Sequence, residues 1–596
     1  MSIMAYTPYG AAGVIIRVEA DIRRGIPGID ISGLAERAVF EARERVRAAF
    51  RNSGYNFPPD RVLINLAPAG LRKFGAALDL PIALSVMAAA GFIPLSGDIM
   101  VMGELELSGA IRPVRGVLAA IASGLDAGIT EFIVPYENFR EAAILGTGGI
   151  AGKASRPAAC GATARFSAVA NLKEAAESLV IREHKGFLPA PAELENCQQA
   201  AGSADAPAAA SARYVSGDFA DVKGQAVYKR ALEIAAAGGH NVLVFGPPGA
   251  GKTMLARRLP SIMAPLTPDE AVEVTRLYSL AGPFKAGGQN TSGFSDLSCP
   301  VNLSEDSAFI DGLITHPPFR APHHTASAEG ILGGGKIPRP GEISLAHFGI
   351  LFLDEAPEFR TNVLQALREP LEDRVISIAR AEGVVRLPAD FQLLLAANPC
   401  PCGRLGIRNN AGACETDLQS NNEQDAPTVI ADNAAPHYCI CSTNDIYRYW
   451  RRIGGALLDR IEIRVMARPC ALNDMVKHND SNISAEESSA VIAGRVLEAV
   501  EIQRQRYRGT GIRRNAMIPA GKIDSMCPMS PQAANAMHKA LSRLGLSGRA
   551  YHGILRLART IADLDGCGLI ETVHVLEAVH HRRQGEDPFE VLNVSN

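Results

Sequence analysis

The sequence is short of three things: tryptophan, an excess of charge of one sign, and a long apolar run. It holds 1 Trp among 596 residues, and its 60 basic and 63 acidic residues leave a net charge of −3. There is thus no overall basic footprint for nucleic acid, although a ring can enclose a positive pore within a neutral outer surface. The most apolar stretch, FGAALDLPIALSVMAAAGFIPL (74–95), contains Asp79 and Pro81 and is predicted to be a core helix rather than a membrane span.

The chain opens on MSIMAYTPYG, which lacks the basic start and apolar run of a secretory signal. We therefore expect a cytoplasmic protein with no membrane partner. The 11 cysteines fit this expectation, because an odd number in an unsecreted chain favours reduced thiols or metal ligation over a disulfide framework. Several are scattered and are interpreted as packing residues: Cys160, Cys197, Cys299, Cys470, Cys527 and Cys567.

Shifts in composition divide the chain into domains. The stretch PAPAELENCQQAAGSADAPAAAS (189–211) is rich in Ala and Pro, has no apolar periodicity and is predicted to be a linker. Beyond it, apolar strands alternate with helical patterns, which predicts a parallel sheet covered by helices. The predicted order is an N-terminal domain (1–185), a linker (186–213), an α/β core (214–487) with a polar insertion (403–438), and a C-terminal domain of amphipathic helices (488–596).

The stretch NVLVFGPPGAGKTMLARRLP (241–260) matches the pattern Gly-x4-Gly-Lys-Ser/Thr between an apolar strand and an amphipathic helix. In such a loop the backbone N–H groups surround a phosphate, the lysine reaches the β and γ phosphates, and the hydroxyl reaches Mg²⁺. A chance glycine turn is the alternative. The sequence therefore predicts that a nucleotide with Mg²⁺ is bound by Gly246, Pro247, Pro248, Gly249, Ala250, Gly251, Lys252 and Thr253.

A second apolar strand, GILFLDE, ends in two adjacent carboxylates. Asp354 is suited to hold the Mg²⁺ shell, and Glu355 to polarise the water that attacks the γ-phosphate. Because a kinase has no use for a water-activating glutamate, the pair predicts hydrolysis. A buried strand ending in an acidic turn is the alternative.

Three further residues are candidates for the same chemistry. Asn398, at the end of FQLLLAANP, can orient the lytic water or the γ-phosphate, although Asn before Pro is often a turn former. Arg460 in GGALLDRIEI and Arg549 in LSGRAYHGILRLART can stabilise transition-state charge, one from a neighbouring subunit and the other from the helical lid of the same chain. For each arginine taken singly, a solvated surface residue is the alternative.

Two Cys-x-Cys pairs offer four thiolates, the number that a tetrahedral structural zinc site takes. They are Cys400 and Cys402 in NPCPCG, and Cys439 and Cys441 in HYCICS. Each spacing is one residue shorter than the usual Cys-x2-Cys, and a long polar segment with the extra Cys414 separates the pairs. A zinc clip that closes this segment and four ordinary reduced thiols both remain open.

The segment FRAPHHTASAEGILGGGKIPRPGE (319–342) precedes the acidic strand and is interpreted as a glycine-rich insertion. Its adjacent His323 and His324 are expected to point apart, so that a shared metal is not predicted. A hairpin aimed at a central pore, where Lys336 and Arg339 would touch phosphates, and a solvated loop are the two interpretations.

Residues 216–596 resemble the magnesium-chelatase-like branch of the AAA+ ATPases, and within it the ComM/YifB family. The likeness rests on DFADVKGQAVYKRALEIAAAGG, FRAPHHTASAEGILGGGKIPRPGEISLAHFGILFLDEAPEF, NPCPCG and GGALLDRIEI. It implies an α/β P-loop core with a helical C-terminal lid, and a catalytic set in which Lys252 and Thr253 are Walker A residues, Asp354 and Glu355 Walker B, Asn398 the first sensor, Arg460 the trans-acting arginine finger and Arg549 the second sensor.

The same resemblance implies partners. Family members form ATP-dependent homo-hexameric rings, and ComM-like members are helicases that drive branch migration on DNA during natural transformation. We therefore expect ATP and Mg²⁺ as ligands, single-stranded or branched DNA as substrate, and recombination proteins as further partners. The alternatives are a chelatase-type motor for Mg²⁺ insertion into a porphyrin, and an ATPase that remodels proteins and does not act on DNA.

The N-terminal 185 residues resemble the α+β Lon-protease-type (ribosomal S5-like) domain through LINLAPAGLRKFGAALDLPIAL and GELELSGAIRPVRGVLAAI. A Lon-type peptidase needs a serine nucleophile and a lysine base. The matching positions are Ala77 and Leu118, which can do neither, so no proteolysis is expected. True chelatase motors lack such a domain before the ATPase, which argues against the chelatase alternative.

Overall fold

The structure is a computed structural model that describes residues 3–34, 36–94, 97–145, 164–185, 217–282, 309–310, 313–335, 339–380, 383–405, 439–468, 486–544 and 547–583. The predicted linker (186–213) and nearly all of the predicted polar insertion (403–438) lie outside these residues, as does Lys336. In the described part of the chain, no helix is both long and apolar enough to cross a membrane.

The N-terminal region is a twisted mixed sheet with helices packed on it. Its described strands pair in the order β3-β4-β2-β1-β5-β8-β9, with β6 and β7 as a separate hairpin. The strands are β1 Ile3–Tyr9, β2 Ala12–Arg23, β3 Gly28–Ser32, β4 Arg61–Ala67, β5 Met100–Val101, β6 Glu104–Leu105, β7 Ile111–Arg112, β8 Glu131–Pro135 and β9 Arg165–Val169. The helices are Arg37–Asn52, Asp79–Ala89, Val117–Asp126, Phe139–Ala143 and Leu172–Lys185.

Alternation along the strands accounts for the packing. In β4, with the sequence RVLINLA, every second residue is buried, as expected for a strand with one face on the core. The helix Asp79–Ala89 is buried through residue 87, so the most apolar stretch of the sequence is indeed a core helix. Its Asp79 forms an ion pair with Arg45, with Nε 2.6 Å from Oδ2.

The central region carries a parallel sheet. Among the described residues its strands pair in the order β13-β16-β19-β10-β20, and each neighbouring pair is parallel. The strands are β10 Val242–Phe245, β11 Phe309–Ile310, β12 Leu313–Ile314, β13 Phe319–Arg320, β14 Gly333–Gly334, β15 Arg339–Pro340, β16 Ile350–Leu353, β17 Val375–Arg380, β18 Gly383–Pro388, β19 Gln392–Ala397 and β20 Ile463–Met466.

Helices cover both faces of this sheet, and the strands are therefore apolar on both sides. Val242 and Val244 face one apolar core, whereas Leu243 and Phe245 face the other. The helices of this region are Ala226–Gly238, Lys252–Ala256, Pro268–Ala281, Ala328–Leu332, Glu342–Leu345, Thr361–Ala366, Arg368–Asp373, Thr443–Arg451 and Gly455–Leu458.

The segment 319–342 differs in part from its interpretation as an insertion. Its first residues form β13, which pairs in parallel with β16 as an edge strand of the main sheet. A short hairpin follows, in which β14 pairs antiparallel with β15 through Gly334 and Arg339. The insertion is therefore shorter than predicted, and the hairpin of β14 and β15 begins only after the helix Ala328–Leu332.

The C-terminal region consists of helices that pack on one face of the parallel sheet. They are Ser489–Arg506, Ile523–Met526, Pro531–Leu544, Gly548–Leu564 and Thr572–Arg583. Apolar residues of the long helix Gly548–Leu564, such as Ile554 and Leu557, share one core with Val242 of the sheet. The side chain of Ser547 accepts a hydrogen bond from the Ala550 N–H and so caps the start of this helix.

The helix Pro268–Ala281 joins the central region to the N-terminal sheet. A capping box formed by Thr267 and Glu270 starts it. At its other end the Ser279 hydroxyl donates to Glu141, and the Ser279 carbonyl accepts from the Gly116 N–H at 3.1 Å. Leu280 is buried in the apolar cluster of the N-terminal region. The two regions therefore share apolar and polar contacts.

Removal of the Leu280 side chain tests this contact. We expect Leu280→Ala to cost about 2–5 kcal/mol, because a buried leucine is replaced by a cavity. Urea titration followed by circular dichroism measures the change. Leu107→Ala is the matched control, since Leu107 is 58% exposed and its truncation should change stability by less than about 0.5 kcal/mol. Equal unfolding midpoints for the two variants would contradict the proposed docking.

Candidate active site

The loop that follows β10 passes close to the neighbouring strands. A Cβ atom on Gly246 would lie 2.2 Å from the Ala467 carbonyl oxygen, so only glycine fits there. Gly249 and Gly251 have φ angles of +79° and +77°, in the left-handed region that favours glycine. Gly251 is the residue from which the short helix Lys252–Ala256 starts. The glycines of the motif are therefore required by the backbone path.

Lys252 lies at the centre of this loop. Its Nζ donates to the carbonyl oxygens of Gly246 at 2.6 Å and Pro247 at 2.9 Å, and to Asn398 Oδ1 at 3.1 Å. Burial lowers the pKa of Lys252, and the nearby carboxylates of Asp354 and Glu355 oppose that shift. The structure thus brings together a lysine and an asparagine that lie 146 residues apart.

The acidic pair lies beside the same loop. Thr253 Oγ1 donates to Asp354 Oδ2 at 2.8 Å, and the Glu355 N–H donates to Asp354 Oδ1 at 3.0 Å. Thr253 and Asp354 thus present a hydroxyl and a carboxylate side by side, which are the hard oxygen ligands that Mg²⁺ prefers. Glu355 adopts a φ of +51°, unusual for a non-glycine residue, and its side chain is 53% exposed.

A histidine that sequence reasoning did not assign contacts the same glutamate. Nδ1 of His324 lies 3.5 Å from Oε2 of Glu355. The rings of His323 and His324 do not point apart as expected, because their centroids are 4.1 Å apart. His324 could have been found only from its position shortly after β13. Because β13 pairs in parallel with β16, the segments that follow the two strands, with His324 and Glu355, lie at the same edge of the sheet.

Two further residues donate hydrogen bonds to backbone carbonyl groups of the loop. Tyr228 is buried and donates its hydroxyl to the Lys252 carbonyl at 3.2 Å. Gln225 donates its side-chain amide to the Ala250 carbonyl at 3.1 Å and also contacts the Arg468 carbonyl. Both lie in the stretch GQAVY, for which sequence reasoning had predicted no individual role.

The two candidate arginines do not lie at this loop. Arg460 precedes β20, and Asn241, which precedes β10, donates to the Arg460 carbonyl at 3.0 Å. Because the strands are parallel, Arg460 lies at the amino-terminal edge of the sheet, whereas the loop at Gly246 lies at the carboxyl-terminal edge. A four-residue strand separates the two edges by about 13 Å.

Glu372 holds the two arginines together. Its Oε1 accepts from Arg460 at 2.8 Å and from Arg549 at 2.5 Å. Arg460 is nearly buried, with 11% of its side chain exposed, whereas Arg549 is 51% exposed. Glu372 was missed by sequence reasoning, because no local pattern links it to Arg549, 177 residues away.

The arginine pair lines a cavity of about 200 Å³ between the sheet edge and the C-terminal helices. Arg513, Arg514 and Arg556 line the same cavity. Burial lowers the pKa of Arg514 to about 10. The structure therefore does not bring Arg549 to the phosphate loop of its own chain, but places it with Arg460. We call this surface the cationic edge, because its arginines outnumber the carboxylates of Glu270, Glu372, Asp390, Asp459 and Glu462 that line the same cavity.

The four cysteines of the two Cys-x-Cys pairs converge. Their sulfur atoms all lie within 4.8 Å of one another. Of the six cysteines interpreted as packing residues, Cys527 is buried and Cys567 partly buried, and the other four lie outside the described residues.

The positions of the Lon-type dyad lie at the contact between the two sheets. Leu118 is fully buried and packs with Ala271 and Leu313 of the central region. Ala77 packs against the apolar cluster that also contains Leu280. Both positions therefore hold apolar side chains that take part in packing.

Together, the parallel sheet, the glycine loop with its lysine, and the acidic pair define a P-loop ATPase of the AAA+ type, with an α/β core and a helical C-terminal region. Three family models match the chain. The model described as magnesium chelatase, subunit ChlI, matches residues 218–310, 296–432 and 426–475. The model of the ChlI C-terminal part matches 486–582, and a model described as subunit ChlI of Mg-chelatase matches 18–138.

Relatives match over nearly the whole length. The competence protein ComM of Haemophilus influenzae is 35% identical over 585 residues, covering 96% of this chain and 95% of that protein. The uncharacterized protein YifB of Escherichia coli is 34% identical over 576 residues, covering 95% and 94%. Lon protease 2 of Bacillus subtilis is 29% identical over 204 residues, or 31% of this chain. The chain belongs to the magnesium-chelatase-like ComM/YifB family.

The N-terminal domain does not separate this chain from chelatase motors as expected, because a model described as subunit ChlI of Mg-chelatase matches residues 18–138. The presence of this domain therefore does not by itself exclude the chelatase alternative.

Replacement of Lys252 tests the loop. We expect Lys252→Ala to weaken ATP binding at least about tenfold, because the site loses the buried ammonium that would contact the phosphates. Titration with a fluorescent ATP analogue measures the affinity. Lys539→Ala, on an exposed position of the helix Pro531–Leu544, is the control and should bind as the parent protein does. Unchanged affinity of the Lys252→Ala variant would show that the nucleotide binds elsewhere.

Proposed function

We propose that this protein is an ATP-driven ring motor in which each nucleotide lies between two neighbouring chains. The observation that carries the proposal is that the arginine pair and the phosphate loop lie at opposite ends of the parallel strands. Within one chain, Arg460 and Arg549 cannot reach a phosphate held at Gly246. In a head-to-tail assembly, the cationic edge of one chain faces the loop of the next, so both arginines serve a neighbour's nucleotide.

The residues of the loop divide the work of hydrolysis. Backbone N–H groups from Gly246 to Thr253 and the Lys252 ammonium hold the phosphates. Glu355 orients and deprotonates the attacking water, and His324 fixes the direction of its carboxylate. Asn398, which bonds to Lys252, aligns the water with the γ-phosphate.

The donor set at Thr253 and Asp354 suits Mg²⁺, which would neutralise charge on the phosphate oxygens when bound. On the neighbour's side, Arg460 and Arg549 would stabilise the charge that develops on the transferred phosphoryl group. Glu372 keeps the two guanidinium groups adjacent despite their repulsion. We expect the ring to be a homo-hexamer, in keeping with the family.

We propose DNA as the substrate of the motor. The support is the relation to ComM, which is named a competence protein, over almost the full length of both chains. On this basis the protein would be a helicase that promotes branch migration during natural transformation or recombination, with single-stranded or branched DNA in the pore and recombination proteins as partners.

The hairpin of β14 and β15 supplies a candidate DNA contact. Arg339 is exposed on it, and burial together with the neighbouring Arg339 lowers the pKa of Arg115. The charge of Arg339 thus acts on Arg115, and guanidinium groups are suited to phosphate oxygens. This arrangement favours the pore-hairpin interpretation of the segment over a merely solvated loop.

A chelatase-type motor is the second candidate, and the descriptions of the matching family models favour it. It shares the nucleotide site and the ring with the first candidate and differs in the substrate alone. The third possibility, a protein-remodelling ATPase, likewise predicts turnover that is indifferent to DNA. The substrate experiment below therefore separates the DNA motor from both.

Mixing two inactive variants tests whether the arginines act between chains. Glu355→Gln leaves ATP bound but unhydrolysed, and Arg460→Ala should lower kcat on the order of 10³-fold. In equimolar mixed rings, about a quarter of the sites combine an intact Glu355 with a neighbour's intact Arg460. We therefore expect ATP turnover in the mixture to recover, as measured by phosphate release.

The control for this experiment is the double variant that carries both substitutions. Mixed with Arg460→Ala it offers no site with an arginine, so turnover should stay at the background level. Recovery in that control, or no recovery in the test mixture despite ring assembly, would rule out action in trans.

DNA-dependent turnover tests the substrate. We expect forked or three-stranded DNA to raise the ATPase rate several-fold. Arg339→Ala should weaken DNA binding and reduce the slope of log affinity against log salt by about 1, because one phosphate contact is lost. Fluorescence anisotropy measures the affinity. Arg543→Ala, on the exposed face of a C-terminal helix, is the charge-matched control. Turnover indifferent to every DNA tested would favour the other two candidates.

A further inference from the structure

The four clustered thiols have the geometry of a metal site. The sulfur of Cys400 lies 3.3 Å from that of Cys402 and 3.6 Å from that of Cys439, and the sulfurs of Cys402 and Cys439 are also 3.6 Å apart. Cys441 completes a set whose sulfur atoms all lie within 4.8 Å of one another. Zn–S bonds of about 2.3 Å in a tetrahedron place sulfur atoms about 3.8 Å apart, close to these distances.

Local structure on both sides directs the thiols inward. After β19, the turn at Cys400–Gly403 closes with a hydrogen bond from the Gly403 N–H to the Cys400 carbonyl, and Gly403 has a φ of +77°. The Leu405 N–H then points at the Cys400 sulfur at 3.4 Å, a backbone contact common around bound thiolates. On the other side, a capping box at Ser442 starts the helix directly after Cys441.

We propose that Cys400, Cys402, Cys439 and Cys441 bind one structural Zn²⁺ as a tetrahedral tetrathiolate. Binding replaces four S–H bonds by four Zn–S bonds and releases the thiol protons to solvent, so no oxidant or reductant takes part. Burial suits such a site, because Cys400 is fully buried and the other three thiols are partly buried. Four neutral thiols packed this closely would gain little from weak S–H contacts.

Besides joining residue 402 to residue 439, the metal would lie close to the phosphate loop and to Asn398. Asn398 lies two residues before Cys400, and a Cβ on Gly403 would lie 3.0 Å from the Pro248 ring of the phosphate loop. On the other side, the indole N–H of Trp450 donates to the Pro399 carbonyl at 3.1 Å, and its ring contacts Phe245 at the end of β10. The metal would therefore fix the segment that carries Asn398 against the phosphate loop.

The metal content of the full-length protein tests the proposal directly. Protein purified under reducing conditions should contain one zinc per chain by elemental mass spectrometry. After removal of the metal with a chelator, titration with Co²⁺ alone should produce thiolate-to-cobalt charge-transfer absorption and the visible bands of a tetrahedral ion, saturating at one equivalent. These measurements need neither ATP nor DNA, so they succeed or fail independently of the proposed function.

Variants assign the ligands. Cys400→Ser combined with Cys439→Ser removes one ligand from each pair and should abolish the stoichiometric zinc and the cobalt spectrum. Cys567→Ser, at a partly buried cysteine outside the cluster, is the matched control and should keep both. If the double variant does not fold, as judged by circular dichroism, the cobalt titration of the parent protein still decides.

Trp450 offers a readout of the coupling to Asn398, because it is the only tryptophan of the chain. We expect chelation to change its fluorescence emission and added Zn²⁺ to restore it. This second part rests on the proposed role of Asn398: metal removal should lower kcat several-fold while ATP affinity stays the same, and Zn²⁺ should restore kcat. A parallel loss of ATP affinity would point to a general structural effect instead.

Two outcomes would overturn the zinc site. One is parent protein that carries no stoichiometric zinc and gives no tetrahedral cobalt spectrum. The other is a disulfide within or between the pairs, detected by mass spectrometry of protein alkylated without reduction. The second result would mean that the sulfur atoms lie close together because they form a disulfide, with an S–S bond of about 2.05 Å, and not because they bind a metal.

Discussion

The parallel pairing of β10, β19 and β16 is the constraint on which the rest of the structure depends. It brings the carboxyl ends of these strands to one edge, so that Lys252, Asn398 and Asp354 lie close together although they are far apart in sequence. Lys252 bonds to Asn398, and the adjacent Thr253 bonds to Asp354. Apolar runs such as VLVF can form an interior strand because helices bury both faces. Loss of this pairing would separate the loop from its acidic partners.

The two ends of the parallel strands carry opposite arrangements of charge: a cation among oxygen atoms at one end, and a carboxylate between two cations at the other. At the carboxyl-terminal edge the buried Lys252 ammonium faces carboxylates and carbonyl oxygens, and at the amino-terminal edge the Glu372 carboxylate holds two guanidinium groups. The N-terminal domain docks through the helix Pro268–Ala281, and Leu118 lies buried at that contact. The position that the Lon-type resemblance aligns with a catalytic lysine is thus a packing residue in this domain.

Sequence patterns predicted those parts of the site that depend on neighbours along the chain. The phosphate loop and the acidic strand end belong to strand–turn units, and their residues lie where the motifs place them. The contact of His324 with Glu355 and the bridge at Glu372 depend on strand order and helix packing, which local patterns do not encode. The same holds for Arg549, whose helix could not be oriented from its periodicity, and for the cysteines, whose spacing left their convergence open.

The opposed positions of loop and arginines also restrict the symmetry of any active assembly. In a dimer with a two-fold axis both chains contribute the same patch, so such a dimer could join a loop to the partner's arginines only if that patch held both, and the two lie at opposite ends of the strands. Under the proposed role of the arginines, a heterologous contact repeated from chain to chain completes a site at each interface. Such a contact either closes on itself after a fixed number of copies or continues as a helical filament, and the small rotation between successive chains alone decides which of the two forms.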